Sequence, residues 1–544
     1  MATNILSIGQ SALAAAQVGL STTGHNIANA STPGYNRQVV VQGAALAQNF
    51  GFGFLGQGTE ISTVKRIYNE YLGNQVQSAQ TTKSGLDSYY TQIKQIDNLL
   101  ADPASGLSPA LQDFFSGIQE VASNPTSIPS RQAVVSSAES LASRFHSLAG
   151  RLDEIEQGVN SQILSSVNVI NSYAEQIASL NDAIGKALRS TGQPPNDLLD
   201  QRDQLVLDLN KEIKATVVKQ GDDGYNVFVG NGQPLVVGAT TYKLSNMTSP
   251  ANPEKIEVAY RASSGDLVIM GETGIVGGKL GGLIEFRSKT LEPTQNALGR
   301  VAIGLASTFN AQHQLGFDLG GVAGAAFFGS GAPLVYANGE NGGSATLAAS
   351  ISNAGALTTS DYRLRFDGAN YTLTRLSDNT DTTFAAFPQT VDGVELTLAG
   401  TPDPGDSFLI RPTAAGASGF NVAITDPEQI AAAATTGALG DNGNALKLGE
   451  LQTARLMNGG TTTYQGAYSQ IVSQIGNKTR ELDVTSSAAG KLLTEATMTL
   501  QNESGVNLDE EATNLLRYQQ AYQAAGKVMQ IASEMFDMLL SLGR

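Results

Sequence analysis

Large apolar residues recur at every seventh position near the N-terminus, with small residues between them. The large positions are Leu6, Leu13, Leu20 and Ile27, and the small ones are Gly9, Ala16, Thr23 and Ala30. A heptad repeat is typical of a coiled-coil helix, and its small residues let a second helix approach closely. The pattern predicts an N-terminal helix that packs either on its own domain or on another helix.

The C-terminus carries the same repeat. Asn507 stands three residues before Glu510, which is the spacing of a helix N-cap, and acidic residues in a first turn suit the helix dipole. The large positions of the repeat are Leu515, Tyr522, Met529 and Phe536, with Tyr518, Ala525 and Ala532 between them. A helix of about 35 residues is roughly 50 Å long. Its length and apolar stripe predict pairing with the N-terminal helix or with a neighbouring chain.

The middle of the chain alternates between helical and strand-like blocks. Helical patterns cover 65–101, 129–188, 285–312, 427–475 and 478–503. The apolar stripe of the longest block includes Leu141, Phe145, Leu148, Leu152, Ile155, Val159 and Ile163. Period-two alternation with a Gly230-Asn231-Gly232 turn predicts strands over 214–284, and runs such as VELTL predict strands over 320–424.

These blocks predict a multidomain α+β protein, with a long α-helical rod, terminal coiled-coil helices and two inserted mainly-β domains. The predicted terminal stem is 1–50 with 505–544, and the predicted helical rod domain is 51–213 with 285–319 and 425–504. A small β domain is predicted over 214–284 and an outer β domain over 320–424.

A helix-stopping segment follows the N-terminal repeat. Pro33 blocks continuation of the helix and disfavours helix at Thr32, and Gly34 permits a turn. Short amide side chains near a helix end bond backbone groups there. One interpretation is a helix C-cap; the other is a shaped bend between stem and rod. The residues concerned are Asn26, Asn29, Thr32, Pro33, Gly34 and Tyr35.

Composition narrows the function classes. The chain has 544 residues, no cysteine, three histidines and a net charge of -16. These values argue against disulfides and thiolate sites, and against binding to nucleic acid or an anionic membrane. We expect no catalytic site, no metal and no cofactor; the glycine pattern over 51–56 lacks the strand-to-helix setting of a dinucleotide site. Residues 1–59 contain one formal charge, Arg37, and no pattern of a cleaved signal peptide.

Both terminal segments carry motifs of a known group. ALAAAQVGLSTTGHNIANASTPGYNRQ and SGVNLDEEATNLLRYQQAYQAAGKVMQIASEMFDMLL resemble the terminal signatures of bacterial flagellar rod, hook and hook-associated proteins. Internal segments such as PPNDLLDQRDQLV and VFVGNGQPLV are similar to the hook-associated protein 1 family, the first hook–filament junction proteins. The resemblance covers nearly the whole chain and is weakest over 320–355.

The resemblance implies a structural protein that forms the hook–filament junction by self-assembly through its terminal helices. Implied partners are copies of itself in a ring, the hook protein, the second hook–filament junction protein and a cytoplasmic export chaperone at the C-terminal helix. It further implies type III export to the extracellular flagellum without signal cleavage. The implied contact positions are Leu6, Leu13, Leu20, Ile27, Leu515, Tyr522, Met529 and Phe536.

Two alternatives stay open. One is a hook or rod axial protein, which the internal segments after residue 190 oppose. The other is an exported adhesin or enzyme whose β domains are mounted on a flagellar stem. A polar cleft with converging titratable groups in 214–284 or 320–424 would favour that second alternative.

Overall fold

The computed structural model describes residues 2–49, 51, 53–102, 106–221, 224–262 and 264–542. Within this part of the chain, α-helices dominate. Their bounds are α1 Ala2–Asn29, α2 Glu70–Ala101, α3 Leu107–Ser123, α4 Ile128–Thr191, α5 Asn196–Glu212, α6 Gly278–Phe286, α7 Glu292–His313, α8 Gly443–Glu450, α9 Tyr464–Ser504 and α10 Leu508–Leu542.

The strands fall in three stretches of sequence. Their bounds are β1 Gln38–Ala44, β2 Gln48–Asn49, β3 Phe54–Leu55, β4 Thr59–Arg66, β5 Ala215–Gln220, β6 Gly224–Val229, β7 Gln233–Val237, β8 Thr240–Thr241, β9 Leu244–Thr248, β10 Ile256–Arg261, β11 Leu267–Ile269, β12 Phe328–Gly329, β13 Leu334–Ala337, β14 Thr346–Ile351, β15 Tyr362–Phe366, β16 Tyr371–Arg375, β17 Thr380–Phe384, β18 Gln389–Val391, β19 Val394–Ala399, β20 Ser407–Arg411 and β21 Asn421–Val422.

All the paired strands run antiparallel in the described residues. The first stretch forms the hairpin β1-β4 with β2-β3 at its tip, and the second forms the sheets β5-β6-β7-β8 and β11-β10-β9. The third forms a five-stranded sheet in the order β13-β20-β15-β16-β17, a three-stranded sheet β14-β19-β18 and the pair β12-β21. Antiparallel sheets with helices segregated from them are the α+β arrangement expected from the sequence.

The long helix α4 organises the body of the molecule, by which we mean α2 to α9 with their sheets. Its 64 residues make it about 95 Å long. The side chain of Ser127 caps its start by accepting a hydrogen bond from the backbone of Ser130. The predicted apolar stripe is buried along its length, so the helix expected over 129–188 is confirmed.

Two other predicted helices begin at different residues. The helix expected over 65–101 begins at Glu70, because 59–66 forms β4 and Asn69 caps the helix start through Leu72. The helix expected over 285–312 begins earlier, at Gly278, and passes through a π-helical turn, Arg287–Leu291, before α7.

The helical block predicted over 427–475 is only partly helical. The short helix α8 and the first turns of α9 lie there, but the chain between them is irregular from Leu451 until α9 begins at Tyr464. The carbonyl of Met457 accepts hydrogen bonds from Gly460, Thr461 and Thr462, so the chain closes a turn at this point. A glycine-rich turn of this kind competes with helix, and apolar periodicity alone does not reveal it.

The two β regions of the body differ in how they bury apolar residues. Val227, Leu235 and Val258 of the first region belong to the same continuous core as α4, so its sheets cover this helix. Among the described residues, the two larger sheets over 334–411 have a separate core that includes Leu364, Leu373 and Phe408. The first β region therefore lies on the helical core, whereas the outer one is built around its own centre.

Candidate assembly surface and terminal bend

The terminal helices α1 and α10 pack against each other, and we call them the terminal helix pair. Glycines in α1 make the closest approach: a Cβ on Gly19 would lie 2.5 Å from the Tyr518 ring, and one on Gly9 would lie 2.9 Å from the Met529 sulfur. The contacts move toward the start of α1 as they move toward the end of α10. The helices are therefore antiparallel and closely packed.

Small residues occupy the inside of the terminal helix pair. Ala16 and Thr23 of α1 are buried, as are Ala525 and Ala532 of α10. These are the small positions of the two heptad repeats. Because the small side chains face inward, the large ones are displaced to the edges and outer faces of the pair.

The predicted contact positions accordingly do not share one environment. On α1, Leu13 and Leu20 are half-buried, while Leu6 and Ile27 are exposed. On α10, Met529 is half-buried against Gly9, whereas Leu515, Tyr522 and Phe536 are exposed, Tyr522 at 43% and Phe536 at 48%. The structure therefore brings Met529 into the pair and leaves most of the other large positions facing outward.

Additional apolar residues of α10 are exposed outside the predicted stripe. They are Leu508, Leu516, Val528, Ile531, Met535, Met538 and Leu540. A search for one heptad stripe misses these residues. Their presence at positions outside the stripe was the sequence signal that could have identified them. Together with Leu515, Tyr522 and Phe536 they are what we call the exposed α10 face, namely the large apolar side chains of α10 that α1 leaves uncovered.

The hairpin that follows α1 adds another exposed apolar element. Leu46 is 92% exposed and Phe54 is 74% exposed, both at the β2-β3 tip. The backbone N–H of Thr59 donates to the Ser11 hydroxyl at 3.3 Å, so the hairpin lies along α1. The glycine pattern at 51–56 belongs to this hairpin, as the turn-like composition indicated, although Phe52 lies outside the described residues.

Asn26 connects the end of α1 to the next strand. Its Oδ1 accepts hydrogen bonds from the Tyr35 hydroxyl at 2.7 Å and from the Gln38 backbone at 3.0 Å. Its Nδ2 donates to the Gln38 carbonyl at 2.8 Å. The buried amide thus bonds the strand backbone much as a neighbouring strand would. Burial and the nearby acids raise the pKa of Tyr35, which keeps its hydroxyl a donor.

Asn29 and Gly34 shape the turn itself. The Asn29 amide donates to the His25 carbonyl at 3.0 Å, and the Thr32 hydroxyl donates to Asn29 Oδ1 at 3.1 Å. Gly34 has a φ of 77°, and a Cβ there would meet the Gln204 side chain at 2.7 Å. The predicted bend residues therefore lie together at one turn, with Pro33 on its exposed side.

Carboxylates of α5 hold this turn against the body. Asp200 accepts from the Asn36 backbone at 2.9 Å and its amide at 2.6 Å, and Arg66 bonds Asp200 and Asp203 at 2.8 and 2.7 Å. Burial raises the pKa of Asp200, although these hydrogen bonds oppose the shift. Burial would lower the pKa of Arg66, but the Asp203 and Asp200 carboxylates outweigh it and raise that pKa. The bend is therefore fixed to α5 by buried, charge-assisted bonds.

The histidines do not form a metal site. His146 is exposed, as the sequence indicated, and His25 lies 3.2 Å from Asp197. His313 is buried between the Ala325 carbonyl and the Ala431 N–H, and burial lowers its pKa. Throughout the described ranges, no three His, Asp or Glu side chains are grouped so as to hold a metal ion.

In that same part of the chain, no helix is both long and apolar enough to cross a membrane.

One polar cavity touches the outer β region. It has a volume of about 330 Å³ and lies where α4, α7 and the two β regions meet. Arg411 pairs with Glu254 at 2.7 Å and with Asp361 at 3.3 Å, and Gln295 bonds Glu156 at 3.0 Å. Burial raises the pKa of Asp361 to about 6. The ion pair between Arg411 and Glu254 thus joins the outer β region to the first β region.

Family models match four parts of the chain. The flagellar hook-associated protein FlgK helical domain matches 93–328, and the hook-associated protein 1 D2-like domain matches 336–412. The flagella basal body rod protein model matches 6–36, and the basal body rod FlgEFG protein C-terminal model matches 500–542. The rod models therefore match most of the terminal helix pair, and the other two match the body between residues 93 and 412.

Full-length relatives agree with these matches. Flagellar hook-associated protein 1 of Escherichia coli K12 is 38% identical, with 99% of this chain and 100% of the relative covered. The Bacillus subtilis protein of the same name is 25% identical over 98% and 97% of the two chains. The solved flagellar hook junction protein FlgK of Burkholderia pseudomallei has a TM-score of 0.74 at 32% identity, covering 79% of this chain and 99% of that one.

Proposed function

The chain belongs to the flagellar hook-associated protein 1 family and is a structural protein of the hook–filament junction, and we propose that it assembles there through its terminal helix pair. The observation that carries this proposal is the exposed α10 face. Many large apolar side chains exposed on a single element are uncommon on monomeric proteins and indicate an interaction site. Here the face includes Tyr522 and Phe536 and continues along a helix of 35 residues.

Burial of this face supplies a driving force for assembly. Full burial of a large apolar side chain contributes about 1.5–3 kcal/mol, so covering a side chain that is about half exposed contributes roughly half of that. Summed over the exposed α10 face, the gain competes with the cost of association. The predicted contact residues Leu6, Leu13, Leu20 and Ile27 would extend this surface along α1, and Leu46 and Phe54 would extend it onto the hairpin.

The bend has a separate role in this proposal. Asn26, Asn29, Thr32, Pro33, Gly34 and Tyr35 set the direction in which the terminal helix pair leaves the body. The bonds from Asn36 and Arg66 to Asp200 hold that direction. A fixed direction lets every copy in a ring present its helices to its neighbours in the same way.

The proposed partners follow from the surface and the family. Copies of this chain, the hook protein and the second hook–filament junction protein would cover the exposed α10 face in the flagellum. Before export, a cytoplasmic chaperone would cover the same C-terminal helix. The N-terminus would be retained on export without signal cleavage, because α1 forms half of the helix pair.

Neither alternative function gains support from a specific observation. The hook or rod reading rests on the terminal motifs, but the hook-associated protein models match 93–328 and 336–412. For the enzyme or adhesin alternative, the polar cavity beside the outer β region contains Arg411, which pairs with Glu254 of the first β region and with Asp361 of its own region. We propose that the chain is not an enzyme and that the Arg411–Glu254 pair serves to attach the outer β region.

Deletion of the gene and complementation test the proposal. The deletion strain should keep intact hooks, lack attached filaments and lose filament subunits to the medium. Complementation with the double variant Tyr522→Asp and Phe536→Asp should fail, because two charges would enter the buried interface. Leu376→Asp, an exposed leucine of the outer β region, is the matched control and should restore filaments. Filaments attached normally by the double variant would overturn the proposal.

A further inference from the structure

Arg37 occupies an unusual place in the charge distribution. It is the one formal charge in residues 1–59, and it lies just after the bend. Its guanidinium contacts two acids at the start of α10: Nη1 lies 2.6 Å from Glu510, and Nε lies 2.8 Å from Glu511. A guanidinium forks two acids in this way because its donors are fixed in one plane.

Glu511 extends these contacts into the terminal helix pair. Its side chain is 2% exposed, and its second oxygen accepts from the Asn26 amide at 3.2 Å. The Arg37 backbone N–H donates to the Ser504 carbonyl at 2.8 Å, at the end of α9. Asn26, Arg37, Glu510 and Glu511, which we call the Arg37 cluster, therefore connect α1, the bend and the start of α10.

The rest of the terminal helix pair offers little to fix the helices lengthwise. Apart from Tyr518 against Gly19 and Met529 against Gly9, its inside consists mainly of alanine and threonine, which are small and repeat along both helices. A shift of one heptad would again place alanines and threonines opposite each other, and in the described part of the pair only the two glycine contacts oppose it from within. Buried polar groups in helix pairs are known to specify register, because a shifted pairing leaves them without partners.

The geometry points to Arg37 as a positioning residue for assembly, which sets the register of α10 against α1 through Glu511 and Asn26. This inference rests on the proposed assembly role of the terminal helix pair. In the correct register, the exposed residues of α1, the hairpin and α10 form one surface. In a shifted register they no longer align, so neighbouring copies lose a continuous contact.

Introduced cysteines report the register directly, because the chain contains none of its own. Ala12 and Ala525 each lie one heptad beyond the Gly19–Tyr518 contact, so Ala12→Cys with Ala525→Cys reports the native register. Ala12→Cys with Ala532→Cys reports a shift of one heptad. In the otherwise unchanged full chain, the first pair should form the disulfide at least about ten-fold faster than the second.

Arg37→Gln should reduce the native-register disulfide about ten-fold, because Glu511 is left buried without its cation. The shifted-register disulfide should rise at the same time. Lys527→Gln, which removes an exposed cation from α10, is the matched control and should change neither rate. Arg37→Lys should give an intermediate result, since a lysine cannot fork two carboxylates. An unchanged native-register rate in Arg37→Gln would overturn the inference. So would equal loss of both disulfides, which indicates general unfolding.

Filament attachment in complemented cells separates this inference from the proposed function. Arg37→Gln should lower the number of attached filaments about ten-fold, in line with the loss of native register. If the Tyr522→Asp and Phe536→Asp variant loses filaments while Arg37→Gln keeps them, the register inference is wrong and the proposed function stands. If both variants keep their filaments, the assembly surface itself is wrong.

Discussion

The helices α4 and α10 have similar apolar repeats but opposite environments. On α4, Phe145 is fully buried, and the neighbouring stripe positions Leu141 and Leu152 are buried with it. On α10, Phe536 is 48% exposed although it holds an equivalent place in its repeat. The difference is that the chain itself supplies helices and sheets to cover α4, whereas the described part of α10 packs on the small-residue face of α1 beyond its first turn. Periodicity therefore identifies an apolar face but not the molecule that covers it.

The largest effect should come from truncating the buried aromatic on α4. Phe145 packs with its ring centroid 4.7 Å from that of Phe420. Phe145→Ala should lower the free energy of unfolding by about 3–5 kcal/mol, because it leaves a cavity in the body core. Urea unfolding of the purified chain, followed by circular dichroism, measures this. A loss below about 1 kcal/mol would mean that α4 is not covered as described.

A change inside the terminal helix pair should have a smaller and more local effect. Gly19→Leu places a side chain where the Tyr518 ring lies, and overpacking of this kind costs about 1–3 kcal/mol. Amide hydrogen exchange should become faster across α1 and stay unchanged in α4. Gly24→Leu is the matched control, since no heavy atom lies within 4 Å of a Cβ there. Equal effects of the two substitutions would argue against the close α1–α10 contact.

Deprotonation of Asp361 in the body should change the free energy of unfolding by less than Gly19→Leu does. Burial raises the pKa of Asp361 from 3.8 to about 6, with Arg411 opposing and Glu292 assisting the shift. The stability contributed by the protonated Asp361 is fully present below pH 3.8, the pKa of this carboxyl in the unfolded chain. It is lost as the pH rises through about 6, the pKa in the folded chain. The body should therefore lose about 1 kcal/mol of unfolding free energy between pH 5 and pH 7. Burial also raises the pKa values of Asp153 and Glu156, which act in the same direction.

Calorimetry at the two pH values measures this effect. Asp361→Asn should remove about 1 kcal/mol of the difference, because the amide does not titrate. Asp509→Asn, at the exposed start of α10, is the control and should leave the dependence in place. A dependence that survives unchanged in Asp361→Asn would refute the assignment.

The smallest stability effect should come from the exposed aromatic on α10. Phe536→Ala should change the free energy of unfolding of the purified chain by no more than about 0.5 kcal/mol. This is the direct counterpart of Phe145→Ala, with the same side chain removed from an exposed position. A loss comparable to that of Phe145→Ala would remove the contrast between the two helices.

Local patterns predicted the long helix, both terminal helices and the cap at Asn507, whose side chain accepts from Asp509 and Glu510. They did not show that Glu510 would turn toward Arg37 rather than back to the cap, since that partner is hundreds of residues away. The heptad repeat marked both Leu6 and Gly9, but it could not decide which faces inward. Gly9 faces inward because its missing side chain leaves room for Met529 of the other helix, and the N-terminal sequence alone does not reveal that contact.

Cysteine accessibility tests the central claim most directly, namely that other subunits cover the exposed α10 face. Phe536→Cys places a single thiol on that face, and Leu376→Cys places one on the outer β region as a control. In the purified monomer both thiols should react with an alkylating reagent at similar rates. In isolated flagella the rate at position 536 should fall at least about ten-fold, because burial beneath a neighbour excludes the reagent, while position 376 stays reactive. Equal reactivity at position 536 in monomer and flagella would contradict the account.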